Sequence, residues 1–171
     1  NYSHDETSKE QFSHMPEVVL TPISTEQISE VMKVADRYTI PVTPRGAGSG
    51  LSGGAIPIHG GIVLSVEKMN KVLEIDEANL TVTAPMSLET CFLGGNIAEN
   101  AGGGKAVKYG VTGRYVLGME VVTPQGEVVQ LGGKVTKDVS GYDLKQLYIG
   151  SEGTLGIITK ATIRLLGVPK Y

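Results

Sequence analysis

Pro44-Arg45-Gly46-Ala47-Gly48-Ser49-Gly50-Leu51-Ser52-Gly53-Gly54 follows directly on an apolar, β-branched run. A loop so rich in glycine lets the backbone come close to a ligand and aim several N–H groups at one anion. Arg45 adds a fixed positive charge at its start. Those are the physical requirements for gripping a pyrophosphate, so the segment reads as a dinucleotide site. Two further clusters are candidates to share it: Gly94 to Gly104, which includes Gly95, Asn96, Asn100 and Ala101, and Gly150 to Gly156, which includes Glu152 and Gly153.

Two familiar phosphate sites fail on context. Gly48-x-Gly50-x-x-Gly53 matches the Rossmann fingerprint formally, but that fingerprint needs a helix N-terminus next to receive the pyrophosphate. Here Ala55-Ile56-Pro57-Ile58-His59-Gly60 follows and leads into a strand. Gly104-Lys105 is no Walker A, because Ala106 stands where Ser or Thr must hold magnesium. A mobile connector is the bland reading of one glycine loop; three clusters, two of them beside strands, weigh against it.

The elements that must position these loops can be read from periodicity. Val18-Val19-Leu20 is a short strand ended by Thr21-Pro22. Ser24 with Gln27 resembles a capping box and opens a helix whose Ile28, Val31, Met32, Val34 and Ala35 keep the helical period. Ile40 to Thr43 is a second strand, so the opening is strand–helix–strand and parallel. Gly61 to Val66 is β-rich, and Lys71 to Asp76 and Leu80 to Ala84 form a hairpin across Asp76-Glu77-Ala78-Asn79. Val116 to Thr123 and Glu127 to Leu131 flank Pro124-Gln125-Gly126, a second hairpin. A short helix over Asp143 to Tyr148 and a strand over Ile157 to Leu165 complete the chain. The expectation is an α+β domain in two lobes, with three glycine-bearing loops converging on one ligand.

The bulk composition sets limits. The 171 residues carry a net charge of −3, which shows no basic stripe and argues against nucleic acid. Anion binding must therefore come from local backbone dipoles. No apolar run approaches a membrane span and no signal-peptide pattern opens the chain. The lone cysteine, Cys91, excludes an internal disulfide and suggests a reducing compartment, hence a cytoplasmic location.

Taken in order, the segments resemble the FAD-binding domain of the vanillyl-alcohol-oxidase (PCMH) type, and more narrowly the branch of D-lactate dehydrogenase and the flavin-binding GlcD component of glycolate oxidase. The matching pieces are Pro44-Arg45-Gly46-x-Gly48 with Gly53-Gly54, Gly94-Gly95-Asn96-x-Ala98-x-Asn100-Ala101-Gly102-Gly103, and Lys108-Tyr109-Gly110. Lys137-Asp138-x-Ser140-Gly141-Tyr142-Asp143-Leu144 and Gly150-Ser151-Glu152-Gly153-Thr154-Leu155-Gly156-Ile157-Ile158-Thr159 continue it. They fall in the family's order and cover nearly the whole chain, 1–171, as one FAD-binding domain. The fold implied is a small strand–helix–strand lobe beside a larger, mainly antiparallel sheet lobe.

The resemblance implies a division of labour. Arg45, Gly46, Ala47, Gly48, Ser49 and Gly50, after Pro44, would wrap the pyrophosphate of FAD with backbone N–H groups. Pro85, Ser87 and the segment Gly94 to Ala101 would run along the ribityl chain and flavin. Glu152 and Gly153, with Ile157 and Ile158, are expected near the adenosine and ribityl portions. Tyr109-Gly110 would close the cofactor tunnel. No metal site and no catalytic residue is assigned within the chain.

Departures from the family pattern matter too. Val82-Thr83-Ala84 runs straight into Pro85-Met86-Ser87, where the family has a further loop, helix and strand, so a segment is expected to be missing between Ala84 and Pro85. Family members also have residues before Asn1 and continue past Tyr171 into a substrate-binding domain. Singly, Cys91 reads as a small core residue rather than a covalent flavin anchor. His59 reads as a solvated loop histidine, and Lys137 with Asp138 as a solvated pair. His4 and His14 lie in a polar opening segment to which no chemistry is assigned. Glu152 either accepts from a ribose or ribityl hydroxyl or caps neighbouring backbone.

The activity implied is oxidation of a D-2-hydroxy acid, such as D-lactate or glycolate, to the 2-oxo acid. A base outside the chain would take the hydroxyl proton, and the α-hydride would go to flavin N5. Electrons would pass to an electron-transferring flavoprotein, a quinone or a cytochrome, the last two bringing the protein to a membrane periphery. The alternatives are an alcohol or amine oxidase using oxygen, and a flavin-binding subunit with no substrate of its own.

Overall fold

A computed structural model describes residues 2–7, 9–85 and 92–167, the side chains of Lys9, Glu10 and Pro85 excepted. The expected residues Ser87 and Cys91 lie outside the described residues. After a short helix α1 (Lys9–Phe12), strand β1 (Val18–Leu20), helix α2 (Thr25–Tyr38), strand β2 (Val42–Arg45) and strand β3 (Ile62–Ser65) build the smaller lobe. β3 lies between β1 and β2 and pairs in parallel with both. Its central place explains its composition, since Ile62, Val63, Leu64 and Ser65 are all buried. The second strand begins two residues later than its apolar pattern suggests and takes in Pro44 and Arg45. Parallel pairing with β3 sets that frame, with Arg45 opposite Ser65.

α2 starts where its sequence says. The Ser24 hydroxyl accepts the Gln27 N–H at 3.4 Å, while the Gln27 side-chain oxygen accepts the Ile23 N–H at 2.9 Å. The return bond thus reaches one residue further back than in a standard capping box. Ile28, Met32 and Ala35 face inward, whereas Val34 is half exposed.

The larger lobe is one five-stranded sheet in the order β4 (Glu74–Asp76), β5 (Thr81–Pro85), β8 (Ile157–Arg164), β6 (Val116–Val122), β7 (Val128–Gly132). All its pairings are antiparallel. Both expected hairpins form, although β4 keeps only the last three residues of the Lys71 to Asp76 run. The register of β5 with β8 runs unbroken through Ala84 and Pro85, which face Ala161 and Lys160. Three short helical turns, α3 (Leu93–Ala98), α4 (Ala106–Tyr109) and α5 (Lys145–Tyr148), and a 3-10 turn at Thr112–Tyr115 complete the structure.

One core joins the lobes. Ile28 and Met32 of α2 and Leu64 of β3 share it with Val121, Val122, Ile157 and Ile158 of the larger sheet. At the seam, Glu120 of β6 is buried yet fully engaged. It accepts from the hydroxyls of Thr25 at 2.6 Å and Thr159 at 2.7 Å, from Gln130 Nε2, and from Lys160 Nζ at 2.9 Å. Burial pushes its carboxyl up, but these donors together outweigh that and hold it below the ordinary value. The tip of the second hairpin docks on α2, where the Ser29 hydroxyl donates to the Gly126 carbonyl.

Candidate functional site

The end of β2, the loop that follows it, α3 and the start of β8 enclose a cleft of about 530 Å3, within the range usual for ligand sites, roughly 300–1,000 Å3. Of the residues singled out by sequence, Pro44, Arg45, Gly46, Ala47, Gly48, Ser49 and Gly50 line it from one side. Gly94, Gly95 and Asn96 line it from α3, and Glu152, Gly153, Ile157 and Ile158 close the remaining wall. Ile157 and Ile158 are buried and, with Val66, make an apolar floor.

The loop's chemistry lies in its backbone. Among the described residues, no protein acceptor takes the N–H groups of Ala47, Gly48, Ser49, Gly50 or Leu51. Such a run of uncommitted donors in a concave loop is an anion-binding nest. Gly48 makes the path possible, because its φ of +70° lies in the left-handed region. Gly95 lines the cleft, and a β-carbon there would meet nothing within 4 Å, so only hydrogen at that position leaves the space to a ligand.

Arg45 corrects the sequence reading. Its charge was expected to face the ligand, but Nη1 donates to the carbonyls of His4 at 2.8 Å and Ala55 at 3.3 Å. The guanidinium also lies 5.6 Å from the centre of the Tyr2 ring. Burial lowers its pKa, with Asp5 the first opposing influence. Arg45 thus braces the loop while lining the cleft.

The second glycine cluster is not a plain loop. Leu93 to Ala98 form α3 despite two glycines, whose helix propensity is poor, because docking overrides it. The third loop is stitched to its end, with Gly150 N–H on the Ile97 carbonyl at 3.0 Å and Glu152 N–H on Ala98 at 2.9 Å. A β-carbon at Gly153 would come 2.8 Å from Pro44 Cγ, so the first and third loops meet there.

Four expected residues do not line the cleft: Asn100, Ala101, Tyr109 and Gly110. Asn100 ends α3 with a φ of +50°, and its Oδ1 accepts the Gly113 N–H at 2.9 Å. The Ala101 carbonyl takes the Thr112 hydroxyl at 2.7 Å. These two residues tie α3 to the 3-10 turn. The Tyr109 carbonyl accepts from Tyr115 Oη at 2.7 Å, and Gly110 follows it at the end of α4.

Other lining residues were missed by sequence reasoning. The Phe92 ring stands 3.2 Å from where a β-carbon on Gly46 would be. Glu99 lines the cleft and accepts the Ser52 hydroxyl at 2.8 Å. Asp5, from the opening segment, is buried and lines it as well. The spacing of Asp5 and Thr7 was a usable signal, since Asp two residues before a polar residue closes an Asx turn.

FAD fits what is here. It carries a pyrophosphate for the N–H nest, hydroxyls for the Glu99 and Glu152 carboxylates, and flat apolar surface for the isoleucine floor. Comparison with known proteins agrees. The family described as FAD binding domain matches residues 16–86 and 83–132. Glycolate oxidase subunit GlcD of Bacillus subtilis is 42% identical over 192 residues, covering 99% of this chain and 40% of that protein. A D-lactate dehydrogenase of Anaerostipes hadrus is 44% identical over 91% of this chain and 37% of its own length. A D-2-hydroxyglutarate dehydrogenase of Xanthomonas citri pv. viticola is 38% identical over 99% of this chain and 40% of its own. Among solved structures, an alkyldihydroxyacetonephosphate synthase superposes with a TM-score of 0.77 at 26% identity, covering 90% of this chain and 34% of that one. The chain spans about 40% of the length of such curated relatives. With the family matched over most of its length and a cleft whose donors suit the cofactor, this chain belongs to the FAD-binding domain family of the PCMH type.

Proposed function

We propose that the chain is the FAD-binding portion of a flavin-dependent dehydrogenase that oxidises a D-2-hydroxy acid to the 2-oxo acid. The observation that carries this is the cleft of uncommitted backbone donors at Ala47 to Leu51, set in a chain similar to glycolate, D-lactate and D-2-hydroxyglutarate enzymes. Those three substrates share a hydroxyl on the carbon next to a carboxylate. Bound FAD would supply the two-electron acceptor for the hydride from that carbon.

This chain's own residues do the holding. The N–H groups of Ala47 to Leu51 neutralise pyrophosphate charge without a lysine or a free arginine. Glu99 and Glu152 accept hydroxyls of the ribose or ribityl chain, and Ile157 and Ile158 keep water from the floor. Pro85 and Ser87 belong to the same proposal, beside the flavin. Tyr109 and Gly110, placed off the cleft, would reach it only as a closing element.

The proposal extends to what surrounds the domain. Relatives align over 192 residues, more than this chain's 171, and the family match is split at residues 83–86, which supports a segment missing between Ala84 and Pro85. An electron-transferring flavoprotein, quinone or cytochrome would reoxidise the flavin. A cytoplasmic site, with membrane-peripheral contact through such an acceptor, suits a chain whose sole cysteine is Cys91.

Anaerobic spectroscopy on the FAD-loaded full chain, with the rest of its protein where it has one, tests the reading. D-Lactate, glycolate or D-2-hydroxyglutarate should bleach the flavin band, and an acceptor should restore it. Stable flavin absorbance with all three acids, or bleaching by an amine or a simple alcohol instead, would overturn the dehydrogenase assignment.

A further inference from the structure

The opening segment Tyr2 to Thr7 lies outside the family match, which begins at residue 16, yet it runs across the glycine loop. Glu6 N–H donates to the Gly50 carbonyl at 3.1 Å. The Asp5 carboxylate accepts the Gly53 N–H through Oδ2 at 3.0 Å, and through Oδ1 it accepts the Thr7 N–H at 2.8 Å and the Thr7 hydroxyl. The His4 carbonyl holds Arg45 Nη1, and the Tyr2 hydroxyl donates to Glu67 Oε1 at 2.8 Å, just past β3. The segment is therefore fastened to both ends of the loop.

We propose that Asp5 is a positioning residue of the cofactor site, holding Gly53 and its own Thr7 turn so that the donors of Ala47 to Leu51 stay aimed into the cleft before FAD arrives. The loop contains Gly46, Gly48, Gly50, Gly53 and Gly54, so its unrestrained backbone would have many conformations to lose on binding. Preorganisation removes part of that cost and appears as affinity. A carboxylate lining an anion site would otherwise repel the ligand. Asp5 escapes that penalty because its oxygens are committed to three donors and Arg45 lies close enough to balance its charge. The contact is made by a buried group, at 4% exposure, rather than by a fraying terminus.

The inference rests on the FAD reading, and the test separates the two. FAD is titrated into the full chain and into Asp5→Ala and Asp5→Asn, followed by flavin fluorescence, with far-UV circular dichroism as the folding control. Asp5→Ala should weaken binding about tenfold, the usual size of one buried donor left unpaired, with Asp5→Asn in between. A mainly electrostatic Asp5 gives the opposite sign, because losing its charge leaves Arg45 unbalanced beside an anion. Equal or tighter binding by both variants therefore overturns the proposal while leaving the FAD reading intact. Absence of FAD binding by the unaltered chain overturns both. Hydrogen exchange on the unaltered chain gives a second reading that no folding defect can confuse. On adding FAD, the amides of Glu6, Thr7 and Gly53 should gain protection together with Ala47 to Leu51. Protection confined to Ala47 to Leu51 would show that the segment is a bystander.

Discussion

Arg45 lies against Gly48 so closely that a β-carbon on Gly48 would come 2.0 Å from Arg45 Nη2. The glycine is thus required twice, once for its φ of +70° and once for the guanidinium beside it. Gly48→Ala should cost on the order of 1–3 kcal/mol from backbone strain alone. It should also displace Arg45 from the His4 carbonyl. Thermal melting with and without FAD checks this: the variant should melt lower and gain less from FAD than the parent. An unchanged melting point would mean that the loop repacks freely.

Glu120 links α2 to three strands, so its removal should be felt by both lobes. Glu120→Ala leaves Lys160 and the hydroxyls of Thr25 and Thr159 without their acceptor. Breaking a buried pair costs about 3–5 kcal/mol, and the lower end applies here because the Lys160 side chain is 37% exposed. Urea unfolding should show the loss, with Glu120→Gln falling between the two. A change below about 0.5 kcal/mol, the size of an ordinary surface substitution, would deny Glu120 this role.

Acid should destabilise the fold through the same group. Glu120 and Asp5 both stand below their ordinary values of 4.5 and 3.8, burial being the largest influence and opposed by the hydrogen bonds they accept. A depressed carboxyl contributes stability above its unfolded value and loses it as pH falls through the folded one. Stability should therefore hold down to the region of 4.5 and decline below it. Denaturant midpoints measured from neutral pH downward test this. Glu120→Gln should flatten the decline, and an unaltered slope in that variant would point to other groups.

The cap of α2 offers a local test. Ser24→Ala removes the acceptor of the Gln27 N–H and should cost about 0.5–2 kcal/mol. Ser24→Asp should recover most of that, since its carboxylate can accept the same N–H. A chemical-denaturation series on the two variants would show it, and equal stability of Ser24→Ala and parent would leave the cap without effect.

Much of this molecule could be read along the chain. The 3.6-residue spacing of Ile28, Met32 and Ala35 specified a helix, and the alternation beside Asp76-Glu77-Ala78-Asn79 specified a hairpin, because each pattern is satisfied by local geometry. The glycine loop declared its chemistry for the same reason: Gly46, Gly48 and Gly50 relax the backbone wherever they stand. Context within a few residues was also enough to reject a Rossmann helix after Gly54, and the chain indeed turns there and enters β3.

Only the tertiary structure decided which polar groups face the ligand and which face the protein. Arg45 and Asn100 looked like ligand donors by type, but their partners, the His4 and Ala55 carbonyls and the Gly113 N–H, arrive from elsewhere in the chain. α3 exists despite Gly94 and Gly95 because the third loop, more than fifty residues later, bonds to its end. Asp5 reaches the cleft across 48 positions of sequence to meet Gly53. Sequence determines what a residue can do through its own chemistry and its near neighbours. Which of those possibilities is realised depends on distant groups competing for the same hydrogen bonds, and that competition is settled only when the chain has folded.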